Sequence, residues 1–331
     1  MRRAALVSLL LVLVLVAVPS FVSGPATAQQ GTAPAATSLG TTSFIRATLN
    51  ALPPNPLSML LARITFTGNA SVPSRTDTAP IIFAVEDGTI AVKVGGTARV
   101  GLPPSAGTPA PATPAAPGSE VTMKAGQQLV VPANTPYALR NPTTTAAHVL
   151  MSRFAPAASP IPGFPSGVSV QPLARGVTSN MPAAPVIVTL DRVEYAPGAT
   201  ITAYAHPGPY LVYVESGTLT LPTQSGALQI SRATSPGLPS LSLATPSIGT
   251  PVAVTPGTEE TLTAGDSVLI ESGAVTGANN SSSAPTTILV LAVRPASGTA
   301  ATAAAGPATA PATAPATAAG APATAAATTT P

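Results

Sequence analysis

Residues 198–217 read GATITAYAHPGPYLVYVESG, and residues 265–280 read GDSVLIESGAVTGANN. Within them runs a skeleton of fixed spacing, Gly198-x5-Tyr204-x-His206-x3-Tyr210-x6-Gly217, then Gly265-x5-Glu271-x-Gly273-x2-Thr276-x3-Asn280. Residues 69–88 (NASVPSRTDTAPIIFAVEDG) and 126–141 (GQQLVVPANTPYALRN) repeat it. There it runs Asn69-x5-Arg75-x-Asp77-x3-Ile81-x6-Gly88, then Gly126-x5-Pro132-x-Asn134-x2-Tyr137-x3-Asn141. Spacing that recurs in two parts of one chain marks a duplicated unit.

Short β-branched runs bounded by Gly, Pro, Asn and Asp surround both copies, as in strands. Residues 59–67, 81–86, 89–94, 128–131, 137–140 and 149–154 predict the strands of a first unit. Residues 186–195, 200–204, 210–215, 218–221, 267–271 and 287–293 predict those of a second. No long amphipathic helical period occurs, so the chain reads as all-β, with sandwich or barrel units. Pro-rich insertions at 101–118 and 231–258 fall at the same place in each unit, between the two halves of the skeleton. Residues 155–185, rich in Pro and Gly, read as the connection.

The two-part skeleton resembles the signature of the cupin family, G-x5-H-x-H-x3,4-E-x6-G followed by G-x5-P-x-G-x2-H-x3-N. Tyr213-Val214-Glu215-Ser216-Gly217-Thr218-Leu219 is similar to that family's strand-turn-strand hairpin, with the counterpart at 83–90. Gly217 and Gly88 would supply the positive φ of its turn. Val131-Pro132-Ala133-Asn134-Thr135-Pro136-Tyr137 resembles the v-P-a-G-x-p-H segment, with Asn134 replacing Gly because Asn also tolerates the left-handed region. The resemblance covers residues 44–155 and 183–296. It implies two cupin-type double-sheet β-barrels, jelly-roll-like, in tandem, joined by a linker over 156–182.

Metal-binding cupins place three His and one Glu in the barrel. Carried over, those positions are Tyr204, His206, Tyr210 and Thr276 in the second unit, and Arg75, Asp77, Ile81 and Tyr137 in the first. The chain has two histidines, and only His206 holds such a position; His148 does not. Zinc and iron sites need three or more well-placed donors, so no cofactor is predicted. His206 is the one candidate ligand should the second barrel hold a divalent metal, and no catalytic residue is assigned. Strand alternation puts Tyr204 and His206 on one face, inward, with Tyr210 and Tyr213 pointing to opposite sides. An aromatic-lined pocket with one His suits a small apolar or sugar-like ligand; the plainer alternative is that Tyr fills space a metal left. Arg75 and Asp77 share a strand face and read either as a charge pair at the barrel mouth or as a solvated edge pair.

The two ends differ from the units. Arg2 and Arg3, the apolar stretch 4–18 and Ala26-Thr27-Ala28 predict a secretory signal over 1–28, cleaved after Ala28, and then a linker over 29–43. On that reading no membrane span remains and the protein is secreted or displayed at the cell surface; the competing reading is an uncleaved membrane anchor. Residues 297–331 are almost purely Ala, Thr, Pro and Gly and predict a disordered tail, and both termini are expected to be disordered. The chain has no Cys, hence no disulfide. Of its 14 Lys and Arg, two are Arg2 and Arg3, and the remainder nearly balance 11 Asp and Glu. The mature charge is dispersed and near neutral, which argues against a nucleic-acid partner.

Three readings follow. One is a non-catalytic module for a small molecule or a cell-surface partner. Another is a metal-dependent enzyme of oxygenase or isomerase type built around His206. The third is a structural extracellular domain on a flexible tether. The two barrels are also candidates to pack on each other. The sequence leaves open whether the protein is an enzyme.

Overall fold

A computed structural model describes residues 38–96, 98–101, 113–114, 116–233 and 248–296. The expected signal over 1–28, most of the expected 29–43 linker, the middle of both insertions and the expected 297–331 tail lie outside the described residues. All regular structure among the described residues is β. First comes β1 (Ser38–Leu49), then β2 (Leu57–Phe66), β3 (Ser71–Thr76), β4 (Ile81–Asp87), β5 (Thr89–Val94) and β6 (Arg99–Gly101). Next come β7 (Thr113–Pro114), β8 (Glu120–Lys124), β9 (Gln128–Val131), β10 (Pro136–Arg140), β11 (Ala147–Pro156) and β12 (Val168–Thr178). The second half holds β13 (Val186–Tyr195), β14 (Thr200–Ala205), β15 (Tyr210–Ser216), β16 (Thr218–Ser225) and β17 (Leu228–Ser231). It ends with β18 (Val252–Val254), β19 (Glu259–Thr263), β20 (Ser267–Ile270), β21 (Val275–Asn279) and β22 (Thr286–Pro295).

Each half forms two packed sheets. In the first, a seven-stranded sheet ordered β12-β2-β11-β4-β9-β6-β7 covers a four-stranded one, β3-β10-β5-β8. The second repeats the plan with β1-β13-β22-β15-β20-β17-β18 over β14-β21-β16-β19. The edge strands are exchanged. β1 precedes the first barrel in sequence yet pairs with β13, Leu49 facing Val186 and Arg46 facing Thr189. β12 precedes the second barrel yet pairs with β2, Thr178 facing Leu57.

This exchange corrects three boundaries. The stretch 156–182 is not only a connection, because β12 occupies Val168–Thr178. Its Pro172 and Gly176 read as breakers, but Pro172 lies at a register shift on an edge strand, where proline is tolerated. Similarly, a strand already runs through the end of the 29–43 linker, and Phe44–Leu49 belongs to the second barrel's sheet rather than the first's. The ends of both insertions are not loop either: β6 pairs β7 and β17 pairs β18 at the far sheet edges.

β2, inside its seven-stranded sheet, is buried on two faces along most of its length, which explains runs such as Leu57-Ser58-Met59-Leu60-Leu61 that alternate poorly. Leu60, Ala62, Ile64 and Phe66 point into the first barrel with Phe83, Val92 and Met151. Leu57, Met59 and Leu61 point the other way. They meet Val186, Val188, Leu190, Leu289 and Leu291 from the second barrel, together with Phe44 and Leu49 of β1. Gly176 of β12 approaches so closely that a Cβ there would lie 2.9 Å from the Leu269 side chain.

At the rim of this shared layer four charges form a closed square. Arg63 bonds Glu86 at 2.7 and 2.9 Å and Glu215 at 2.6 Å; Arg192 bonds both the same carboxylates in turn. Arg63 and Arg192 hold matching places in β2 and β13, as Glu86 and Glu215 do in β4 and β15. The two barrels are thus related as the halves of a symmetric dimer would be.

The recurring letters of the skeleton are mostly backbone instructions. Asn69 and Gly198, Gly88 and Gly217, Gly126 and Gly265, and Asn134 and Gly273 all have positive φ. At Gly217 a Cβ would also stand 2.6 Å from Thr286 Oγ1 and 2.7 Å from the Pro285 carbonyl, so glycine is required twice over. The terminal Asn of each copy is buried and ties a loop. Asn280 Nδ2 donates to the carbonyls of Tyr195, Ala196 and Ala284, and its Oδ1 accepts from Ser282. Asn141 does the same with Phe66, Thr67, Thr145 and Thr143. Asn280→Ala orphans several of these groups and is expected to cost roughly 2–3 kcal/mol in urea denaturation. A cost below about 0.5 kcal/mol would mean water replaces the amide.

Candidate functional site

Between the sheets of the second barrel lies a cavity of about 330 Å³. Its walls are largely apolar, with Val193, Ile201, Val212, Leu221, Ile270 and Val290 among them. Tyr204, His206, Tyr210 and Thr276 all line it, so the four equivalent positions of the second unit are brought together. Register explains the gathering: Tyr204 pairs with Thr276 across β14 and β21, and Tyr210 sits beside Ile270 and Ala292. Tyr213, on the other face of β15, packs on the layer between the barrels.

His206 is held between rings, 4.5 Å from the centroids of both Tyr204 and Tyr210. Only 5% of it is exposed, and neither ring nitrogen makes a hydrogen bond of ordinary geometry. Burial pushes its pKa down to about 4, against a smaller opposing pull from the Thr276 main chain. Tyr204 and Tyr210 are hydrogen-bonded to each other, and burial holds both phenols above their ordinary range. Thr276 Oγ1 points at the carbonyls of Pro222, 2.9 Å away, and Gly277, 3.1 Å away.

The depressed His206 pKa carries a sign. The folded chain takes up this proton near pH 4, the unfolded chain at its ordinary value of about 6.5. Between those values the unfolded state holds more protons, so stability is intact above the window and falls as pH drops through it. The difference amounts to roughly 3 kcal/mol across the whole window. His206→Gln lacks this term. Urea denaturation at pH 7 and pH 4 is expected to show the variant gaining on the wild type by about that much; equal losses would mean the ring is solvated.

The first barrel treats the equivalent positions differently. Ile81 and Tyr137 are buried in its core, and Tyr137 packs on Phe83 at 5.6 Å. Tyr137 donates to Asp77 Oδ2 at 2.6 Å, and Arg75 Nε lies 3.3 Å from the same oxygen. Arg75 also donates to the Gly163 carbonyl at 2.8 Å and stacks over Phe164. Asp77 keeps only 10% side-chain exposure, so the solvated-edge reading of this pair is corrected: the connecting segment packs over it and shields it.

Sequence reading missed three charged residues in the second cavity: Arg46, Asp191 and Arg294. Asp191 was legible, because it shares a β13 face with Val193 and Tyr195, and a charge on an inward face is a signal. Burial raises its pKa. Arg46 was not legible, since it reaches this barrel only through the exchanged strand.

No family model matches the chain, and no curated protein matches it. Solved structures that resemble it include AerE from Microcystis aeruginosa, 12% identical, covering 76% of this chain and 98% of that one, with a TM-score of 0.37. A cupin 2 conserved barrel domain protein from Leptotrichia buccalis is 11% identical over 76% of this chain and 89% of its own, TM-score 0.34. Oxalate decarboxylase from Bacillus subtilis is 11% identical over 81% and 78%, TM-score 0.42. The strand order found twice here, with the repeated skeleton at its turns, makes this chain a tandem of two cupin-type double-sheet barrels.

Proposed function

We propose that this is an exported, non-catalytic protein whose second barrel binds a small organic molecule, the metal set usual in such barrels having been lost. One observation carries the reading. His206 is neutral, almost wholly buried, without a hydrogen-bond partner of ordinary geometry, and lines a preformed cavity. A buried polar group left unpaired costs free energy unless something else meets it, and an apolar pocket with a few convergent polar groups is how small ligands are held.

The donors around His206 do not fit a divalent cation. One imidazole is present. Both neighbouring phenols hold their protons more tightly than usual, and Thr276 already points its hydroxyl at two carbonyls. Among the described residues no three of His, Asp and Glu gather as a metal set. Export rests on the charged start, apolar stretch and small-residue site of residues 1–28.

Elemental analysis of protein purified without chelators is expected to find no stoichiometric iron, manganese, zinc or copper. A thermal-shift screen of small organic molecules is expected to raise the melting midpoint of the wild type but not of Ala278→Phe, which fills the cavity. Near-stoichiometric metal that disappears in His206→Ala would overturn the proposal and favour the enzyme.

A further inference from the structure

Resting on that reading, we infer that the molecule taken by the second barrel is a small amphiphilic monocarboxylate, its carboxylate between Arg46 and Arg294 and its apolar body along the aliphatic walls. The two arginines line one cavity from the strands on either side of β13. Arg46 pairs with Thr189, Thr189 pairs with Ala292, and Arg294 lies two residues on, on the same inward face. Each has a buried Nε without a hydrogen-bond partner, and among the described residues neither stands within ion-pair distance of a carboxylate.

Asp191 is the acid on the same wall, and it feels both arginines only as longer-range attraction. The cavity therefore carries two positive groups against one negative. A single added anionic charge balances it, and a planar carboxylate suits the fork of a guanidinium. A dianion would leave one negative charge unpaired beside apolar walls, which is costly. The remaining lining is mixed, Thr41, Thr189 and Tyr204 beside Val212, Ile270 and Val290, and its larger apolar share favours an aliphatic or aromatic body.

The test is isothermal titration calorimetry of the full chain with phenylacetate and octanoate, each beside its own neutral amide. At least one acid is expected to bind, at least about tenfold more tightly than its amide. Arg294→Met should weaken that acid by a similar factor. Asp191→Asn should strengthen it, a gain that damaged folding cannot produce. Equal affinity for acid and amide, or an Arg294→Met variant that is folded and binds unchanged, overturns the carboxylate assignment while the small-molecule reading stands. If no acid binds, the assignment also fails. If, in addition, the thermal-shift screen finds nothing that Ala278→Phe abolishes, the parent reading falls with it.

Discussion

Deletion of residues 38–49 is expected to unfold both barrels, although that segment pairs only with the second. β1 closes the edge of β13, and Phe44, Ile45 and Leu49 are each 5% exposed or less within the layer between the barrels. Burying a side chain of that size is worth about 1.5–3 kcal/mol, so losing three removes a large part of the roughly 5–15 kcal/mol that holds a typical domain folded. The bare β13 edge adds an unpaired row of backbone donors and acceptors. Once the second barrel loosens, Leu57, Met59 and Leu61 of the first lose their cover as well. Hydrogen exchange on the deletion variant is the check. Slow amides persisting in β2, β4 and β11 would show that the first barrel stands alone and would sink the expectation.

Arg192→Ala is expected to cost about 3 kcal/mol, the lower end of what breaking a buried pair costs, because these side chains keep 14–26% exposure. The loss leaves Glu86 and Glu215 sharing Arg63 alone. Arg63→Ala should cost a similar amount, as the matching corner of the square. Burial tends to raise the Glu86 pKa, but the two arginines outweigh it and hold the carboxyl below its ordinary range. Its contribution is therefore present above that ordinary range and lost as pH falls through the lowered value. Replacing all four charges with apolar residues of similar size is expected to be close to neutral. Urea denaturation of the single and fourfold variants separates the cases. A single variant within about 0.5 kcal/mol of wild type would mean the square is solvent-screened decoration.

The fold was legible because its signals are local. Positive φ at Gly88 and Gly217 demands glycine, and the strands flanking those turns are short and β-branched, so spacing alone located both barrels. The cavity was legible in part, because Tyr204 and His206 lie two apart on one strand and its continuation. What was hidden depends on partners far along the chain. Nothing within Ser38–Leu49 says which sheet it joins, and the register shift that lets Pro172 sit in β12 is set by β2. Arg46 was missed for the same reason, and the closed network of Arg75, Asp77 and Tyr137 could not be seen without the segment at Gly163 and Phe164.

The exchanged edge strands also set the timetable of folding. β1 is made first, but its partner β13 lies on the far side of the entire first barrel, and β2 must wait for β12. Loop-closure entropy is therefore spent before either pairing is rewarded, which places this chain among slow folders for its size. Until residue 195 has emerged, a growing chain carries β1 without its sheet. That interval is when a chaperone has most to protect.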